Sequence, residues 1–199
     1  MKLYSVPPSP NSKRARVCAA ELGIPVELSN VDFAKGEQRS ADYLALNPMG
    51  KVPTLVDGSF VVWESAAILH HLAAQRPSAL WPSDVHAQTD ALRWMFFCAC
   101  HLDSHFSTLV TEHVFKPQRN QAADATLVGN AVENLGRYLA IVERQLIGRE
   151  YLTGTFGLAD IAMGCTIEAA PALKVDLAPY ANVRGWLSRL QSRESWKHA

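Results

Sequence analysis

The chain has 199 residues, 48% hydrophobic and 19% charged, which is enough for one large domain or two small ones and too apolar for general disorder. Nineteen Lys and Arg balance nineteen Asp and Glu, so a strongly basic nucleic-acid surface is excluded. No apolar run approaches the ~20 residues of a membrane span. The opening residues hold no apolar core long enough for a secretory signal. Cys18, Cys98, Cys100 and Cys165 form neither a CxxC nor a zinc spacing. All four sit in apolar helical patterns and read as small core residues, which fits a cytoplasmic location.

Lys2–Val6 is a short apolar opening strand, interrupted by Pro7, Pro8 and Pro10. Asn11 and Ser12 are candidate helix caps. Ala15, Cys18, Ala19 and Leu22 follow at helical spacing, and Gly23 ends the run. Val26–Val31 reads as a second strand, and Ser40 caps a short helix over Ala41–Leu46. Thr54–Val56 and Phe60–Val62 flank Asp57-Gly58, a strong hairpin signal. Ser65, Ile68, Leu69 and Leu72 give another amphipathic helix. Residues 1–77 therefore form a small α/β domain with a mixed sheet. Residues 78–84 read as a linker, and residues 85–199 as an all-helical domain. In that half, Val128, Val132, Leu135, Leu139, Val142 and Leu146 mark one long helix, and Lys116-Pro117 and Gly148 separate the longer runs.

No phosphate loop, GxGxxG, HExxH or GxSxG is present. His101 and His105 stand at i, i+4 on a helix but lack a third ligand, so no metal site is expected there. They read as a cleft-lining or surface pair, and Asp103 between them is equally ambiguous.

Two segments carry more. In Asn47-Pro-Met-Gly-Lys-Val-Pro-Thr-Leu55, Pro53 falls just before a strand, where it has no N–H for a ladder. Val52-Pro53 is either an ordinary trans turn or a cis bond that would expose the Val52 backbone to a ligand. Glu64-Ser-Ala-Ala-Ile68 puts a carboxylate and a hydroxyl at a helix start, either as a plain cap or as an anion site. The hairpin brings both segments to one sheet edge, within reach of Ser9.

With Ser-Pro-Asn-Ser-Lys-Arg after the first strand, and Gly-Leu-Ala-Asp-Ile-Ala in the helical half, the chain resembles the cytosolic glutathione transferases over essentially its whole length. The serine-type classes (theta-, phi- and delta-like) fit better than the tyrosine or cysteine types, since Tyr4 lies within the strand. The resemblance implies a thioredoxin-like N-terminal domain with a mixed four-stranded sheet, an all-α C-terminal domain and a homodimer. It implies glutathione as co-substrate, with Ser9 as the catalytic hydroxyl. Gln38 and Lys51 would lie near the glycyl carboxylate, and Val52 would bond the cysteinyl backbone through a cis-Pro53 turn. Glu64 and Ser65 would hold the γ-glutamyl end. Asp160 matches the aspartate that caps a buried helix, with Gly157 where relatives often have Ser or Thr.

The bound thiolate would attack a small hydrophobic electrophile. Trp94, Phe97, His101 and His105 are candidates for its apolar wall, with Trp94 and Phe97 equally readable as core. Ser5 is expected to face away from the cleft, and Ser12 to cap the helix. Two alternatives stay open: a binding protein without catalysis, and a glutathione-dependent isomerase, dehalogenase or peroxidase. Neither nucleic acid nor membrane is an expected partner.

Overall fold

Four short strands make the sheet of the first half: β1 (Lys2–Ser5), β2 (Glu27–Asn30), β3 (Thr54–Asp57) and β4 (Phe60–Trp63). Their order is β2-β1-β3-β4, with β1 parallel to β2 and the other pairs antiparallel. The computed structural model describes all 199 residues. Between the strands run α1 (Pro10–Leu22) and the short α2 (Ala41–Leu46), followed after β4 by α3 (Ser65–Ala73). This is the mixed thioredoxin-like sheet expected from the sequence.

Helix α1 starts earlier than its apolar pattern suggests. Ser9 is the cap, its hydroxyl accepting the Ser12 N–H, and Pro10 takes the first helical position, where a missing N–H is harmless. At the other end Gly23 (φ 60°) adopts the left-handed conformation that closes a helix, with the Ile24 N–H reaching back to the Ala19 carbonyl at 2.9 Å. The core of this unit is Leu3 and Leu55 from the sheet, Ala15, Cys18 and Leu22 from α1, and Ile68, Leu69 and Leu72 from α3, all buried.

The chain divides into two units, Met1–Ser83 together with Arg193–Ala199, and Asp84–Ser192. The expected helical half, 85–199, thus gives up its last residues. The final helix, α10 (Glu194–Lys197), lies on α1. Arg193 pairs with Glu21 at 2.7 and 2.8 Å, Ser195 donates to the same carboxylate, and Trp196 is buried beside the Lys13 ammonium.

In the second unit a continuous helical run comprises α4 (Val85–Phe97), α5 (Asp103–Val110) and α6 (Lys116–Gln118). Wide π turns at Cys98–Leu102 and Thr111–Phe115 join them. The run ends at Gln118, one residue after Lys116-Pro117, so that pair marks the break before the next long helix as expected. Then come α7 (Ala125–Gln145), α8 (Leu158–Ile167) and α9 (Ala181–Gln191). Helix α8 is buried on every side. Cys18, Cys98 and Cys165 are core residues as expected, whereas Cys100 is exposed. Two residues along a helix turn a side chain to the opposite face, so Cys98 and Cys100 cannot share one core. No helix is long and apolar enough to cross a membrane.

Asp160 organises the second unit. One carboxylate oxygen accepts the Leu152 N–H at 2.9 Å and the Trp186 indole N–H at 2.8 Å; the other accepts the Gly157 N–H at 3.0 Å. Gly157 caps α8 with no side chain of its own, so Asp160 supplies the side-chain half of the cap. Complete burial outweighs these bonds and raises the carboxyl to about 6.

Candidate active site

Strand register places three chain segments at one end of the sheet. Tyr4 of β1 pairs with Thr54 of β3, and Thr54 pairs with Trp63 of β4. The loop leaving β1 toward Ser9, the turn entering β3 through Val52-Pro53, and the link from β4 into Glu64 and Ser65 therefore share that end.

The Val52-Pro53 bond is cis. The turn before it is held from beneath by Tyr43 and Asn47. The Tyr43 hydroxyl donates to the Lys51 carbonyl at 2.6 Å, and the Asn47 amide donates to the same oxygen at 2.9 Å. Both also meet the buried Thr54 hydroxyl, at 3.0 and 3.1 Å. Burial raises the Tyr43 phenol, which keeps its proton available for the Lys51 carbonyl. With Lys51 held this way, the Val52 N–H and C=O make no hydrogen bond within the chain. Gly50 (φ 60°) allows Gln38 to approach: a Cβ there would lie 2.9 Å from the Gln38 carbonyl oxygen. Gln38 stands in a 3₁₀ turn, and its side-chain oxygen is buried without a partner. The Lys51 side chain is exposed and forms no ion pair in the chain.

Glu64 has φ 72° and ψ 114°, a conformation costly for any residue but glycine. It sets the start of α3, whose first turn presents free backbone N–H groups. Ser65 is the first helical residue, and its side chain is not free. The Ser65 hydroxyl donates to Asn11 Oδ1 at 3.1 Å and accepts from Arg14 Nη1 at 3.0 Å. Arg14 also donates to Asn11 at 2.6 Å. Asn11 reads in the sequence only as a candidate cap and Arg14 does not stand out, because their partner Ser65 lies 54 and 51 residues away.

The three serines near the first loop separate cleanly. Ser5 is buried, its hydroxyl accepting from Arg16 at 2.6 Å. Ser12 is fully buried and accepts the Val6 N–H at 3.3 Å, so it braces the loop and is not the cap. Ser9 is partly exposed; it accepts from Ser12, and no acceptor in the chain takes its own proton.

In the second unit the structure brings Trp94, Phe97, His101 and His105 into one aromatic cluster. Its centre is Tyr138 of α7, which the sequence pattern hides. Phe97 meets Tyr138 edge-on at 5.8 Å, and the His101 and His105 rings lie over it at 5.2 and 5.8 Å. Trp94 packs edge-on against Phe97 at 5.4 Å and is buried, its indole N–H without a partner. Trp94 and Phe97 also line a cavity of about 470 Å³ with Arg93, Ile141, Arg144 and Gln145. Burial first, and the nearby His101 second, hold His105 below its ordinary range. Asp103 accepts the Thr166 hydroxyl at 2.8 Å, tying α5 to α8.

Residues 1–74 match the family model for the glutathione S-transferase N-terminal domain, and residues 97–194 the model for its C-terminal domain. The chain is 35% identical to glutathione S-transferase F10 of Arabidopsis thaliana over 94% of its length and 90% of the relative's. It is 31% identical to glutathione S-transferase 3 of Zea mays, covering 99% and 91%. A crystal structure of a glutathione transferase from Burkholderia graminis, with two glutathione molecules bound per subunit, superposes with a TM-score of 0.88 at 28% identity. The overlap covers 99% of this chain and 85% of that one.

Proposed function

The chain belongs to the glutathione S-transferase family and is an enzyme that uses glutathione as substrate; we propose that it is a serine-type member in which Ser9 activates the thiol. The observation that carries this reading is the unspent hydroxyl proton of Ser9 beside the N-terminus of the 13-residue helix α1. A free thiol titrates near ~8.5, so only a few per cent is thiolate at neutral pH. A hydroxyl donor and a helix N-terminus both favour the charged sulfur. Neither accepts the thiol proton, which leaves to solvent; the effect is electrostatic and not general-base catalysis.

Around that sulfur, the unpaired Val52 N–H and C=O at the Pro53 turn hold the cysteinyl backbone in the manner of a paired strand. Lys51 and the buried oxygen-bearing amide of Gln38 lie toward the glycyl end. Glu64 and Ser65 take the γ-glutamyl ammonium and carboxylate at the start of α3. The acceptor is a small apolar electrophile, and the aromatic cluster of Trp94, Phe97, His101 and His105 in the second unit is the surface proposed to receive it. The enzyme works as a homodimer in the cytoplasm. Exposed apolar side chains on the second unit, Phe96 at 64% and Val132 at 39%, support the association, and four free thiols support the reducing compartment.

The test is a panel of electrophiles assayed with and without glutathione. Glutathione-dependent conjugation that collapses in Ser9→Ala is the expected result. Turnover independent of glutathione, or unaffected by Ser9→Ala, would overturn the assignment.

A further inference from the structure

The start of α1 and the start of α3 are joined by a buried triangle. Arg14 is only 3% exposed, and its Nη1 donates to both Asn11 Oδ1 and Ser65 Oγ. Asn11 and Arg14 are i, i+3 on α1 and so share a face. Ser65 closes the triangle by giving its proton to Asn11. In this arrangement the proton is committed to Asn11 and the hydroxyl has only a lone pair left, which is the wrong polarity for a carboxylate. When a carboxylate arrives, the Ser65 proton must swing from Asn11 to the ligand. Asn11 then keeps the Arg14 N–H, so no buried acceptor is left unpaired. Throughout, the guanidinium remains one hydrogen bond behind the Ser65 oxygen and polarises its O–H as a donor.

We propose that Arg14 is a positioning residue for the γ-glutamyl carboxylate: acting through Ser65, it gives that subsite its preference for a negative charge. The inference rests on the assignment of Ser65 to that carboxylate. It differs from a purely structural tie between α1 and α3 in one respect. A tie supports every ligand of the site equally, whereas a polarised hydroxyl matters only to a ligand that carries the carboxylate.

The probes are glutathione and 4-aminobutanoyl-Cys-Gly, which keeps the ammonium but lacks the α-carboxylate. Calorimetry on wild type should show a clear preference for glutathione. In Arg14→Met the glutathione Kd should rise about ten- to hundredfold, while that of the analogue should change by less than about threefold. Arg14→Lys should keep part of the preference. Equal losses for both ligands, or no wild-type preference between them, would overturn the role of Arg14 and leave the transferase reading standing. No glutathione binding by wild type would overturn both. If the substitutions unfold the chain, wild-type NMR decides: the Arg14 Nε–H resonance should shift on adding glutathione and stay put with the analogue. Identical shifts with the two ligands would contradict the proposal.

Discussion

The Ser9 hydroxyl accepts the backbone N–H of Ser12 at 3.3 Å, so one atom caps α1 and keeps a proton to donate. Cap and activator are compatible because they use different parts of the hydroxyl, lone pair and O–H. The same contact fixes the side chain at the helix N-terminus, where the helix dipole would add to its proposed effect on a thiolate.

Ser9→Ala therefore has two consequences. Losing the cap should lower stability by about 0.5–2 kcal/mol, measured by urea denaturation. Ser9→Thr keeps both cap and hydroxyl, and should retain wild-type stability within about 0.5 kcal/mol. A Ser9→Ala variant as stable as wild type would contradict the capping geometry.

Glu64 carries the clearest backbone strain in the site. Such conformations cost about 1–3 kcal/mol in a non-glycine residue. Glu64→Gly should release that strain, with a net gain of about 1 kcal/mol after the added freedom of the unfolded chain is counted. Glutathione affinity should fall at the same time, because the carboxylate proposed to meet its ammonium is gone. Chemical denaturation and calorimetry on one preparation test both halves. A loss of stability would show that the positive φ is not a strained conformation here.

Lys51 and Ser65 should differ in weight. The Lys51 ammonium is exposed, so removing it should weaken glutathione binding by only about 0.2–1 kcal/mol, and less at high salt. Ser65 is buried within the Asn11 and Arg14 triangle. Ser65→Ala should cost more affinity, about 1–3 kcal/mol, and some stability as well. Calorimetry that ranks Lys51→Ala as the more damaging change would reverse this order.

Asp160 makes stability depend on pH with a defined sign. Burial raises its carboxyl from 3.8 to about 6 in the folded chain. The folded state then binds the proton more tightly than the unfolded state does. The stabilisation is fully present below about pH 4 and is lost as pH rises through about 6. The amount is on the order of 3 kcal/mol. Asp160→Asn cannot titrate, and it presents an N–H₂ to donors that the carboxylate satisfied, so it should be less stable throughout. The gap between wild type and variant should narrow between pH 4 and 6 in urea titrations. A gap that widens over that range would mean that the three hydrogen bonds outweigh burial.

Features legible in the sequence are those encoded within a few residues. Ser40 before Ala41–Leu46 announces a cap, which the structure has. Asp57-Gly58 announces a hairpin, which the structure also has, with the two-residue turn one step later at Gly58-Ser59 because Asp57 still pairs with Phe60. Ser9 was visible as a loop hydroxyl, but its capping role was hidden because three nearby prolines read as interruptions. Pro10 is in fact the first residue of the helix. The long-range partners were not legible. Arg14 looks like one more charged residue on an amphipathic helix, and only the fold brings Ser65 to it. Glu21 and Arg193 are 172 residues apart, so no local pattern assigns the C-terminal helix to the first unit. Tyr138 sits in an ordinary heptad-like run, and its place among His101 and His105 depends on how α7 packs.

The central claim is that Ser9, and not its neighbour Ser12, stabilises the bound thiolate. The direct measurement is a pH titration of the ultraviolet thiolate absorbance of enzyme-bound glutathione in wild type, Ser9→Ala and Ser12→Ala. A hydrogen bond to a charged sulfur is worth about 1.5–3 kcal/mol, or roughly one to two pKa units. The thiol pKa should rise by that amount in Ser9→Ala and stay at the wild-type value in Ser12→Ala, which should only lose stability. A pKa that rises in Ser12→Ala and stays put in Ser9→Ala would contradict the account.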